Sequence, residues 1–232
     1  MRPHLLKTTA VAATVFAALS LVTPAQANGV DVNDPSVPVL YPNGQYLSPQ
    51  QVFAMYSGPG LSVILSDAQL RPLGPVVRTP SGPNEIEDFN SQLVAKISAN
   101  GGPNDSTSVI GPMELEAFGK VGHVTGTFNT EMLQLNLFGS SAIYGNYAIR
   151  ESPTLASTGQ TTITDIGGGL YHIDSFFDVF TELSVDGGNS WIPSQGSTHV
   201  DLVSAPEPSV CALAGLAGLL ALAKARRSGK PN

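Results

Sequence analysis

Cysteine is almost absent from this chain: its single copy, Cys211, sits in an apolar stretch near the C-terminus. The body upstream can form no disulfide and no cysteine-based zinc site. Charge is scarce at 12% of residues, and positive charge is scarcer still. Between residues 28 and 204 only Arg71, Arg78, Lys96, Lys120 and Arg150 stand against seventeen acidic residues, a net charge of about −12 for that body. Such a surface repels phosphate backbones and argues against a nucleic-acid partner. It serves solubility, and calcium is the cofactor such carboxylates would take, if any. Long apolar runs are missing too, since 10–22 and 210–223 both fall short of the roughly 20 residues of a comfortable transmembrane helix. The G-x-S-x-G nucleophile elbow, the EF-hand pattern and any repeat of solenoid or propeller length are also lacking. Gly167-Gly168-Gly169 is followed by neither Lys-Ser nor Lys-Thr, so it is no phosphate loop.

What is present points to a folded, turn-rich chain. Apolar residues make up 42%, with 24 glycines and 18 prolines, a composition of short strands and many turns rather than of disorder. Three segments follow. Residues 1–27 open with Arg2 and Lys7, continue through the apolar run 10–22 and end on Ala25-Gln26-Ala27. Small residues at Ala25 and Ala27 fit signal peptidase, with cleavage before Asn28. Residues 28–204 form the body. Residues 205–232 begin with Pro206-Glu207-Pro208, pass through the apolar helix expected at 210–223 and end with Lys224, Arg226, Arg227 and Lys230. Fourteen helical residues reach about 21 Å against a hydrocarbon core of about 30 Å, a marginal span. The basic end stays cytoplasmic and leaves the body outside, in agreement with the leader.

The order Pro206-Glu207-Pro208, apolar run, Arg226-Arg227 resembles the PEP-CTERM sorting signal of Gram-negative bacteria, a tail also labelled an ice-binding protein C-terminal region. The resemblance covers about the last 28 residues. It implies processing near the tripeptide by an exosortase-type membrane protease. It also implies transient anchoring in the inner membrane, release to the cell surface or extracellular space, and a bacterium that makes exopolysaccharide or biofilm matrix. The stretch 168–193 resembles a segment in the bodies of other proteins of this kind, which implies one continuous domain up to the tail.

Within the body, apolar and polar residues alternate. Met113, Leu115, Ala117 and Val121 are interleaved with Glu114, Glu116 and Lys120; Leu133, Leu135 and Leu137 with Gln134 and Asn136; Phe177, Val179, Leu183 and Val185 with Asp178, Glu182 and Ser184; Val200 and Leu202 flank Asp201. A period of two marks half-buried antiparallel strands. Residues 85–98 fit both helical and strand spacing, and their neighbours favour strand. Ser48-Pro49-Gln50-Gln51 has the residues of a helix start, with Val52, Phe53 and Tyr56 as a short apolar face. About eight strands separated by Gly/Pro turns predict an all-β fold, an antiparallel β-sandwich, flanked by the signal helix and a short transmembrane helix.

Four groups of residues carry candidate chemistry. Ser184-Val185-Asp186-Gly187-Gly188-Asn189-Ser190-Trp191 matches the Asp-box pattern of sialidase-type propellers and other β proteins. Asp186 is expected to accept the turn's own N–H groups, Gly187 and Gly188 to supply positive φ, and Trp191 to pack over the turn. His172-Ile173-Asp174 and His199-Val200-Asp201, with His123, offer metal-ligand types, each H-x-D pair facing one way on a strand. Asp31-Val32-Asn33-Asp34 and Asn104-Asp105 offer oxygen ligands for calcium or ordinary Asx-turns. Thr158, Thr161, Thr162 and Thr164 make too short an array to read as an ice-binding face. No set of nucleophile, base and orienting acid emerges. The chain therefore reads as a non-catalytic exported surface or matrix protein, with a secreted carbohydrate- or calcium-binding module as the alternative and an exported glycan hydrolase third.

Overall fold

A strand whose residues alternate between apolar and polar must bury one face, and it can do so only if neighbouring strands bury the same face with it. The computed structural model, which describes residues 29–32 and 44–204, satisfies this thirteen times over. The strands are β1 (Val30–Val32), β2 (Gly44–Leu47), β3 (Val52–Gly58), β4 (Leu61–Ser81), β5 (Asn84–Ala99), β6 (Asp105–Ala117), β7 (Gly126–Ser141), β8 (Gly145–Glu151), β9 (Ser157–Gly167), β10 (Leu170–Val179), β11 (Thr181–Ser184), β12 (Ile192–Pro193) and β13 (Thr198–Ser204). All ladders between them are antiparallel, in one continuous sheet.

Four of the staves are interrupted. β2 runs on into β3, β8 into β9, β10 into β11 and β12 into β13, and the halves of each pair against the same neighbouring stave. Counted this way, eight staves follow one another up and down and the last meets the first, while β1 is an extra strand paired with β10 beside the end of β13. β13 pairs with β2 through Asp201–Leu47 to Ser204–Gly44, and Ser194 bridges Tyr56 of β3. The sheet is therefore a closed eight-stranded antiparallel barrel. This corrects the expected sandwich: instead of two stacked sheets with four edges, one sheet meets its own edge.

Closure needs strong coiling, and inward-facing glycines supply it. A Cβ at Gly111 would overlap the carbonyl oxygen of Asn136 on β7, and one at Gly159 would overlap that of Phe176 on β10. The missing side chains let the backbones of adjacent staves approach as the sheet turns.

β5 shows the sorting of faces. Glu87, Phe89, Ser91, Leu93, Ala95 and Ile97 are buried, whereas Asp88, Asn90, Val94 and Lys96 face water. The ambiguous segment is thus a strand. Apolar-in, polar-out is the reverse of the alternation in a barrel whose outer wall meets lipid. The lumen is filled by side chains: Tyr46, Tyr56, Leu65, Leu93, Leu115 and Phe177 are each under 2% exposed. Inside, each tyrosine hydroxyl finds a partner, Tyr46 with Ser175 at 2.8 Å, Tyr56 with Thr181 at 2.7 Å and Tyr147 with Thr107 at 2.8 Å. Burial pushes all three phenols up from their ordinary pKa, so they stay neutral donors.

Two local readings change. The helix expected after Ser48 is strand β3. A bulge between Val52 and Ala54 places Phe53, Ala54 and Tyr56 all in the core, and that irregularity imitates helical spacing. Leu133 leaves the inward series because the β6–β7 register slips between Glu114 and Leu115, so that Met132 and Leu135 point in while Leu133 is 39% exposed. Val121, expected to continue β6, lies in the turn beyond it, and Val185, also expected inside, lies beyond β11 and is exposed.

Candidate functional site

The up-and-down order sends alternate connections to opposite ends of the barrel. The Asp-box sits at one end, between β11 and β12, and its bonds are those expected of it. Ser190 donates its N–H to Asp186 Oδ1 at 2.9 Å and its hydroxyl to Oδ2 at 2.5 Å. The Ser184 hydroxyl donates to Asp186 Oδ1 at 2.8 Å and accepts the Gly188 N–H at 2.8 Å. Gly187 and Gly188 have φ of 76° and 91°. These donors, the Ser190 hydroxyl foremost, hold the exposed Asp186 carboxyl down at about 2. Trp191 donates its indole N–H to the Gly188 carbonyl at 3.1 Å. The Arg150 guanidinium stacks 4.1 Å from its ring centroid and is itself bonded to Glu182 at 2.6 Å. The carboxylate is thus spent inside its own turn, and the tryptophan clips that turn to the outer faces of β8 and β11.

The H-x-D pairs lie on the outer wall. His199 of β13 presents Nδ1 to Asp178 of β10 at 2.8 Å and Nε2 to Asp201 at 3.2 Å. An imidazole with a carboxylate at each nitrogen satisfies both only when doubly protonated, and the Asp178 hydrogen bond accordingly leads in raising its pKa. Its ring leans on Phe176, with centroids 5.2 Å apart. His172 instead bonds Asp31 of β1 at 2.7 Å, while Asp174 is exposed on the same stave. His123 sits in the β6–β7 connection, where its carbonyl accepts the Lys120 ammonium at 3.2 Å. The three histidines do not converge, and among the described residues no group of three or more His, Cys, Asp or Glu is arranged to hold a metal ion. Asp105 accepts from Ser141 at 2.5 Å and from the Ile143 N–H at 3.1 Å across the β7–β8 turn, which lowers its pKa and makes it a turn residue.

The threonines divide by parity. Thr161 points inward to Ser175 at 2.7 Å, while Thr162 meets Thr127 of β7 on the outer wall at 3.1 Å. The body's cations are dispersed: Arg71 bonds Gln92, Arg78 pairs with Glu85, Lys96 with Asp67 and Arg150 with Glu182.

No family model, curated protein or solved structure matches the chain.

Two outer grooves of about 380 Å3 each hold carboxyls that the pattern of residues did not single out. Under the bulge of β4 at Leu73–Val77, Asp88 and Glu114 are cross-strand neighbours; burial and then Asp88 push the Glu114 carboxyl up. Where β8 breaks into β9, Glu151 faces a groove lined by Glu131, Leu133, Pro153 and Leu155. Burial pushes its carboxyl up to about 7, against the hydrogen bond from the Ser157 hydroxyl. The break is tied to the kink of the next stave: Ser152 N–H donates to the Phe180 carbonyl at 2.9 Å, and Phe180 N–H to the Ser157 hydroxyl at 2.9 Å. Asp178 is legible in the sequence only as a strand residue, and nothing there singles out Phe176, because what gives both their meaning is the neighbouring stave.

The signal helix and its cleavage residues Ala25 and Ala27 lie outside the described residues, as do Asn33, Asp34, Pro206, Glu207, Pro208, the apolar helix of the tail, Arg226 and Arg227.

Proposed function

We propose that the chain is an exported, non-catalytic cell-surface or extracellular-matrix protein of a Gram-negative bacterium. A signal peptide sends it across the inner membrane, a tail of the PEP-CTERM kind anchors it there for a time, and an exosortase-type protease processes it near Pro206-Glu207-Pro208. The order of tripeptide, apolar run and Arg226-Arg227 behind an N-terminal leader carries this reading. A barrel with a water-facing outer wall and a filled lumen suits a module that works from its outer surface. The test is fractionation of cells that contain an exosortase, with an antibody to the body and a tag after Asn232. Tag and body part company in wild type, while replacement of Glu207 leaves uncleaved protein in membranes. A tag that stays on every copy of the wild-type body makes the tail a plain anchor.

The second reading, a carbohydrate-binding module that takes exopolysaccharide, is favoured by Phe176 and His199. They form an aromatic shelf on the outer wall with Asp178 and Asp201 as fixed acceptors. Saturable binding to polysaccharide that Phe176→Ala abolishes, with the melting temperature held, supports it; binding indifferent to Phe176 refutes it.

A further inference from the structure

The chain leaves the barrel at Ser204, the last residue of β13. Because the staves run strictly up and down, the exit end also carries the β4–β5 turn, the β6–β7 loop and the β9–β10 turn. Large apolar side chains stand exposed on two of these connections. Phe118 and Val124 in the loop are 39% and 45% exposed, and Ile166 and Leu170 at the turn are 49% and 43%. Nothing in their own elements explains them, since the inward positions of β6, β7, β9 and β10 are already filled.

The carboxylates at this end have partners: Glu85 is paired with Arg78, Asp31 of β1 with His172, and Glu116 accepts from the Asn84 amide at 2.8 Å. Residues 118–125 contain no acidic side chain, and their one lysine, Lys120, is buried against Phe128. The β9–β10 turn is Gly167-Gly168-Gly169, all with positive φ, and the neighbouring Asp165 carboxylate is tied back to the Gly167 N–H at 2.8 Å. Among the described residues the connections of the opposite end expose two large apolar side chains, Ile143 and Val185, against four here.

The sequence beyond Ser204 supplies the reason for this asymmetry. Its apolar run begins at Val210, and six residue steps reach at most about 20 Å when fully extended. A barrel held by that run has its exit end within one short tether of the bilayer.

We infer that the exit end of the barrel is a lipid-docking surface, in which Phe118, Val124, Ile166 and Leu170 rest in the headgroup region of the membrane that holds the tail. The inference rests on the proposed anchoring of the tail. Docking fixes the barrel's axis upright, carries the Asp-box end away from the membrane and presents the Pro206-Glu207-Pro208 segment close to the lipid surface. Side chains at this depth enter about 5–10 Å into the boundary between headgroups and acyl chains, enough to orient a domain that a tether already holds.

The protein carries its own reference probe, because its one tryptophan, Trp191, lies at the opposite end. The full chain is reconstituted into vesicles of phosphatidylethanolamine and phosphatidylglycerol, some of it brominated near the glycerol end of the acyl chains. Flotation reports whether the tail holds; fluorescence reports where the barrel sits. In Ile166→Trp, and separately in Val124→Trp, the added ring is quenched while Trp191 in the wild-type chain is not. Adding Phe118→Ser and Leu170→Ser to either variant removes that quenching without releasing the protein from the vesicles. A chain that floats with its added ring unquenched, or with Trp191 quenched instead, overturns the docking surface and leaves the anchor standing. A chain that does not float overturns the anchor, and the docking surface with it. Both added rings replace exposed side chains, and a melting temperature equal to wild type confirms that the barrel is intact.

Discussion

Glu151 makes the stability of this barrel depend on pH in a direction opposite to that of an ordinary surface carboxylate. It ends β8 where the stave breaks, faces Glu131 of β7 and Glu182 of β11, and has only Ser157 to favour its ionised form. Glu182 is itself neutralised by Arg150 at 2.6 Å. Burial raises the carboxyl to about 7 from an ordinary value of 4.5. A group whose folded pKa lies above its unfolded one contributes its full stabilisation below the unfolded value and loses it as pH rises through the folded one. The loss therefore falls between about pH 4.5 and 7. Each pH unit of displacement is worth about 1.4 kcal/mol in full; this carboxyl is only part-buried, and screening by solvent reduces the total to about 1–2 kcal/mol. For a domain of this size that is a fall in melting temperature of about 3–6 °C. Glu151→Gln copies the protonated form, keeps an acceptor for Ser157 and removes the titration. The assay is thermal unfolding followed by circular dichroism, at half-unit steps from pH 4.5 to 8, for wild type and variant side by side. His199 and Glu114, both with raised pKa, also favour the acid side, so the readout is the difference between the two curves. That difference is near zero at the acid end and grows in favour of the variant toward pH 8. Parallel curves, or a wild type that gains on the variant as pH rises, refute the reasoning.

Two further substitutions probe the scaffold. Asp186→Ala removes the acceptor of both Ser190 donors and of the Ser184 hydroxyl and lowers the melting temperature, with Asp186→Asn between it and wild type because one oxygen remains to accept; equal melting temperatures for all three show that the turn stands without the carboxylate. Tyr46→Phe takes the phenol from Ser175, which keeps Thr161 at 2.7 Å, and costs about 0.5–1.5 kcal/mol in chemical denaturation; no loss means that the buried hydroxyl contributes nothing net.

Much of this protein is legible in its residues taken alone. The alternation of Met113, Leu115 and Ala117 with glutamates, and of Phe177 and Val179 with Asp178, determines strands that bury one face, because successive side chains of an extended chain point to opposite sides. The Asp-box is local, its acceptor and donors lying within eight residues, so sequence alone determines its hydrogen bonds. Closure is different. A sandwich and a barrel both bury one face of each strand, so the same alternation serves both, and only the meeting of β13 with β2 separates them. That meeting joins residues more than a hundred and fifty positions apart, and it depends on coiling accumulated over every stave, including the close approaches at Gly111 and Gly159. A bulge gave Phe53 and Tyr56 their helix-like spacing, and another hid the outward turn of Leu133, because one extra residue shifts the parity of all that follows. His199 acquires its second carboxylate from Asp178 on the neighbouring stave, and Glu151 its elevated pKa from burial where its stave breaks, with a smaller push from Glu131 and Glu182. Strand formation is a nearest-neighbour property of the chain; the identity of a side chain's partners is a property of the closed sheet.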